Sequence, residues 1–210
     1  HGIIERTVNL EYRFQSGALN ESFADIFSVM VDDDDWLVGE DVVNKDYFPS
    51  GALRDLQDPH NGDEEGGYIW QPAHMDEYQR MDEDEDNGGV HVNSGIPNRA
   101  AYLIAEAIGR EKTAQIYYYI LEASYLTARS QFIDCRFAAE RAAGDLFGDD
   151  SPEVEAVRRA FDAVGIIVDP DESEGGTLAE EEPLTPSPGD GEGGQGEHWV
   201  ATVAAELDGD

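Results

Sequence analysis

The chain holds a single cysteine, Cys135, among 210 residues, so no disulfide can close within it. Basic residues are scarce too. Thirteen lysines and arginines face 47 aspartates and glutamates, a formal net charge of −34. That balance excludes nucleic acid as a partner, because such binding depends on cations meeting phosphates. No run is long and apolar enough to span a bilayer, so no membrane partner is expected. No signal peptide is visible, and the chain opens on His1 rather than on methionine.

What is present suffices for one domain and a tail, since 40% of the residues are hydrophobic. The acidity has three readings: cation binding, solubility at high salt, or self-repelling tails. It is spread over folded-looking segments as well as the tail, which favours adaptation to high salt. Cys135 lies on a helical apolar stripe and reads as a buried, inert thiol.

Residues 1–6 read as the end of a helix, and Tyr12 sits in a short connector. Ala18, Leu19, Phe23, Ile26, Phe27 and Met30 recur at helical spacing, with Ser16 as the expected cap. Glu21 and Asp25, one turn apart, share a face of that helix and repel each other unless a cation or donor lies between them. Asp32 to Asp35 and then Glu40 and Asp41 form an acidic run, which either binds a hard cation or is simply solvated. Residues 42–86 lack periodicity and predict a long irregular loop region. Pro97 marks a helix start, and helices follow with stripes at Ala101, Ile104 and Ile108, then Ile116, Tyr119, Ile120 and Ala123, then Phe132, Cys135, Ala139, Ala142 and Leu146. Ser151-Pro152 opens a last helix that Gly165 stops. Tyr117, Tyr118 and Tyr119 read as core and groove wall. Residues 169–198, rich in Asp, Glu, Gly and Pro, predict a disordered acidic linker. Apolar character returns at Trp199 to Val203, the expected start of a further domain cut off at Asp210.

Two strings carry the chemistry. They are Gly17-Ala-Leu-Asn-Glu-Ser-Phe-Ala-Asp-Ile-Phe27 and Asp86-Asn-Gly-Gly-Val-His-Val-Asn-Ser-Gly-Ile96. With Trp36-Leu-Val-Gly-Glu-Asp41, Leu53-Arg54, Asp58-Pro59 and Phe161-Asp-Ala-Val-Gly165, they resemble the C-terminal helical half of thermolysin-like zinc metalloendopeptidases, collinearly over residues 1–166. The resemblance implies a mainly α fold. It implies His1 and Glu21 as zinc ligands and Asp25 as the carboxylate that orients a ligand histidine. It makes His91 a donor to the developing oxyanion, Asp86 the group that orients it, and Tyr12 its neighbour at that oxyanion. Arg54 matches the arginine that binds a substrate carbonyl. Leu53, Val38 and Val42 match the walls of the apolar pocket for the residue after the scissile bond.

The resemblance further implies a secreted enzyme acting on peptides and proteins, before bulky apolar residues. His1 stands where the second histidine of His-Glu-x-x-His belongs. The first histidine and the general-base glutamate are therefore expected in a missing N-terminal half, and the chain alone is expected to be inactive. Asp32, Asp35 and Glu40 match calcium positions, but Leu37 replaces an acid and the intervening loop is short, so one calcium fits better than two. Gly51 removes an acid from another calcium loop. His60, His74 and His198 match no ligand position. Two other readings stand beside the enzyme: a non-catalytic helical scaffold that kept the fold, and an acidic mimic competing for basic partners. A scaffold has no use for Glu21, Asp25, Asp86, His91 and Arg54 together.

Overall fold

The computed structural model describes residues 1–48, 50–61 and 69–168. The predicted linker and the segment from Trp199 to Asp210 lie outside them. After a short helix α1 (Gly2–Arg6), the body is arranged about α2 (Phe14–Val31). Helices α3 (Asp86–Asn93), α4 (Gly95–Ile108), α5 (Arg110–Glu122) and α6 (Phe132–Phe147) all pack against α2, and α7 (Pro152–Ala163) closes on α4 and α6. The mainly helical expectation holds.

A helix enclosed on several sides is apolar all round except where polar groups find partners. On α2, Leu19, Phe23, Ile26 and Val29 are fully enclosed, and Phe23 meets Tyr117 of α5 edge to face at 5.3 Å. The same helix buries Asn20, Glu21, Ser22 and Asp25. The polar groups of the site thus hang from the most buried element of the fold.

Helix α2 begins two residues before the expected cap. Arg13, in extended conformation, precedes the first turn, and Ser16 lies within it. Ser16 Oγ turns back to the carbonyls of Glu11 and Arg13, each 2.8 Å away, so it closes the connector rather than capping N–H groups. Gly17 permits the close approach of the neighbouring chain, since a Cβ there would lie 2.9 Å from the Tyr12 carbonyl carbon. Helix α4 also starts earlier than expected, at Gly95. This leaves Pro97 in the first turn, where its missing N–H breaks no intrahelical bond.

The later helices follow their signals. Gly109 and Gly148 end α4 and α6. Ser151 Oγ accepts from Val154 N at 3.3 Å, and Pro152 occupies the first turn of α7. Arg136, 6% exposed, ties α6 to α7 through Glu140, Asp162 and the Ile166 carbonyl. Cys135 is fully enclosed, and burial pushes its thiol up to about 12. Of the tyrosine triple, Tyr117 is core while Tyr118 is half exposed.

A short ribbon that periodicity did not reveal joins the acidic run before residue 42 to the irregular region after it. Strand β1 (Leu37–Val38) pairs antiparallel with β2 (Arg54–Asp55), placing Val38 opposite Arg54. Two residues a side give no pattern to read. Arg110 anchors the ribbon, with its guanidinium 3.8 Å above the Trp36 ring and donating to the carbonyls of Val29 and Asp35.

Candidate active site

Glu21 is the hub. Its side chain is 5% exposed, and a carboxylate taken out of water needs partners. Tyr12 donates its hydroxyl proton to Glu21 Oε1. His1 Nε2 lies 3.6 Å from Oε1, and His91 Nε2 lies 3.6 Å from Oε2. The rings of His1 and His91 each meet the Tyr12 ring edge to face. His1 and His91 are half exposed while Glu21 is buried, so the cluster opens to solvent on one side.

His1 is held by Asn20, whose Oδ1 lies 2.8 Å from His1 Nδ1. Accepting there places the proton on Nδ1 and leaves the Nε2 lone pair facing Glu21. Two ligands of a tetrahedral zinc at ~2.1 Å stand roughly 3.4 Å apart. The 3.6 Å between His1 Nε2 and Glu21 Oε1 therefore suits a shared ion, and the nitrogen-and-carboxylate donor set is one that zinc takes.

His91 sits on α3, and the opening of that helix explains its hold. Asp86, Asn87, Gly88 and Gly89 all have positive φ, a left-handed run that carries the chain back on itself. Gly88 is needed for space as well, because the Phe14 ring occupies the place of a Cβ. The turn brings the Asp86 carboxylate beneath the helix. One oxygen accepts from the backbone N–H of His91 at 2.9 Å and of Val92 at 3.2 Å, while the other takes His91 Nδ1 at 2.5 Å. His91 Nε2 is 3.0 Å from the Tyr12 hydroxyl. With the phenol proton committed to Glu21, the Tyr12 hydroxyl oxygen faces His91 Nε2 as an acceptor. Burial, with Glu21 alongside, raises the Tyr12 pKa and keeps its proton in place.

Asp25, 2% exposed, does not meet a histidine among the described residues. Its oxygens bind Arg54 Nη2 at 2.7 Å and Asn98 Nδ2 at 2.9 Å, and the partner of His1 is Asn20 instead. Desolvation raises the Asp25 pKa against the opposing pull of Arg54. These donors also answer the repulsion expected between Glu21 and Asp25. Arg54 keeps its Nε buried without a partner among the described residues.

Of the expected pocket residues, Val38 and Leu53 come together, with Leu53 N donating to the Val38 carbonyl at 2.9 Å. Val42 stands apart on a turn, 85% exposed. The acidic cluster also differs from expectation. Asp32 and Glu40 converge with Asp41, not with Asp35, their oxygens lying within 4.8 Å of one another. Asp35 instead turns its Oδ1 to its own ribbon, accepting from Leu37 N at 2.8 Å. His60 pairs with Glu77, and His74 caps a short 3₁₀ helix, Met75–Glu77, so neither is a free ligand. Sequence reasoning passed over Asn20 and Asn98. Asn20 was legible in part, standing beside Glu21 on the same string.

The fold and this cluster define the helical half of a metallopeptidase. Residues 8–166 match the family described as "Thermolysin metallopeptidase, alpha-helical domain", and the chain belongs to that family. It is 50% identical over 179 residues to bacillolysin of Brevibacillus brevis, covering 79% of this chain and 31% of that protein. It is 44% identical over 169 residues to extracellular elastase of Staphylococcus epidermidis, covering 79% and 30% respectively. Among solved structures it is similar to the precursor of protealysin, a metalloproteinase from Serratia proteamaculans. There the TM-score is 0.70 with 35% identity, over 80% of this chain and 55% of that one. The chain spans under a third of the length of the curated relatives it matches.

Proposed function

We propose that this chain supplies the C-terminal half of the catalytic cleft of a zinc endopeptidase. The observation that carries the reading is the convergence on buried Glu21 of His1 from one side and the Tyr12–His91 pair from the other. His1 and Glu21 are the zinc donors. Bound zinc would polarise the substrate carbonyl and acidify a water. The reading needs a third donor and a general base besides the described residues of this cluster.

The rest is the work of residues in hand. His91, fixed by Asp86, presents Nε2–H where charge develops on the carbonyl oxygen. Tyr12, held protonated, stands beside it. One such donor is typically worth about 10²–10³ in rate. Arg54, fixed by Asp25, offers guanidinium N–H groups to a substrate carbonyl. Val38 and Leu53 give that end of the cleft an apolar wall, which supports cleavage before bulky apolar residues.

Peptides and proteins are the substrates, and the relatives' names, extracellular elastase among them, support a secreted enzyme. Calcium binds at Asp32, Glu40 and Asp41, where Glu40 Oε2 is buried without a partner among the described residues. Casein hydrolysis by the complete protease, lost on chelation and in Glu21→Ala, tests the whole reading. Hydrolysis that survives Glu21→Ala overturns it.

A further inference from the structure

Gln71 is 5% exposed, an unusual place for a primary amide unless its hydrogen bonds are used. They are. Gln71 Nε2 donates to the His91 carbonyl at 2.5 Å and to Ser94 Oγ at 3.0 Å. Ser94 Oγ in turn donates to the same His91 carbonyl at 2.9 Å. The Gln71 backbone is itself fixed, its N–H donating to the Pro59 carbonyl at 3.0 Å. The fit is tight, since a Cβ on Gly95 would lie 2.7 Å from Gln71 Cβ.

Helix α3 needs such support. After its left-handed opening little more than a turn of regular helix remains, and so short a helix does not hold its own orientation. Asp86 grips His91 by the ring and the N–H, and Gln71 with Ser94 grips it by the carbonyl. A second staple lies further along the same segment. Buried Asn93 accepts from Gln79 N and donates to the Gln79 carbonyl, both at 2.9 Å.

We infer that Gln71 is a positioning residue for His91, fixing from beneath the peptide unit whose ring faces Tyr12. A side chain there for packing alone would be apolar, since the amide must otherwise be desolvated at a cost. The inference rests on the reading of His91 as the oxyanion donor.

The test uses the complete protease. Gln71→Met keeps the length and removes both N–H donors. Its kcat should fall about tenfold, because small displacements of a catalytic group are costly, while KM stays within about twofold. In a His91→Ala background the same substitution should add less than about a twofold loss, as expected of residues acting as one unit. Unchanged kcat in Gln71→Met overturns the inference, and so does an equal loss in the His91→Ala background. If His91→Ala alone leaves kcat intact, the oxyanion reading fails instead. The inference about Gln71 is then decided by the His91 ring signals in ¹⁵N-histidine NMR of the complete protease, which Gln71→Met should shift. Unmoved signals overturn it.

Discussion

Asp86 holds His91 twice through one carboxylate group: one oxygen takes the His91 ring, and the other takes the N–H of His91 together with that of Val92. The helix start and the His91 ring are therefore oriented by the same side chain. Asp86→Asn leaves a single acceptor oxygen for both tasks. The complete protease should lose about 10–100-fold in kcat with KM little changed, by steady-state kinetics on a peptide substrate. Asp86→Ala should also cost about 1 kcal/mol of stability, as losing a helix cap does, measured by urea unfolding.

Tyr117 is fully enclosed, and its hydroxyl has no hydrogen-bond partner among the described residues. A buried, unpaired hydroxyl costs about 1–3 kcal/mol of desolvation. Tyr117→Phe keeps the edge-to-face contact with Phe23 and removes that cost. The variant should unfold at a higher denaturant midpoint with an unchanged m-value. A lower midpoint would mean that the hydroxyl is paired.

Arg136 makes the opposite case. It is 6% exposed and gathers Glu140, Asp162 and the Ile166 carbonyl. Arg136→Ala strands a buried carbonyl and parts α6 from α7, at an expected cost of about 3 kcal/mol. Thermal unfolding reads it, with an exposed pair such as Arg159–Glu155 as the near-neutral control.

Glu77 sets an acid-side dependence. Burial pushes its pKa up, but the Ala73 N–H, the His60 ring and the His74 N–H outweigh it, so the carboxyl titrates below its ordinary 4.5. A lowered folded pKa means that the folded state binds fewer protons than the unfolded one. Its contribution is then complete above pH 4.5 and lost as pH falls through the folded value. Glu77→Gln should flatten the decline of stability below that pH, measured as unfolding midpoint against pH.

The net charge of −34 predicts a response to salt. At about 1 M salt the screening length falls to roughly 3 Å, which quenches repulsion among exposed carboxylates. The melting temperature should rise from dilute buffer to molar potassium chloride. A fall would exclude salt adaptation.

Much of the helical frame was legible because its signals are local. Ser151 and Pro152 open α7, Gly109 and Gly148 close α4 and α6, and 3.6-residue stripes mark the faces between. Ser16 misled because a serine beside a helix start can serve the connector as readily as the cap. The ribbon at Val38 and Arg54 was invisible, since its pairing spans 16 residues of chain and only two on each side. Asp35 and Asp41 could not be told apart in a run of acids, because which carboxylates converge depends on the turn at Gly39.

The sequence by itself determined the family, the helix that carries Glu21 and Asp25, and the pairing of Asp86 with His91, since these rest on short-range strings and spacing. Only the tertiary structure decided the partners. It placed Asn20 on His1, Arg54 and Asn98 on Asp25, and Gln71 under His91. A buried polar group must find its hydrogen bonds wherever the packed chain brings them, and contacts 19 to 73 residues apart leave no periodic trace.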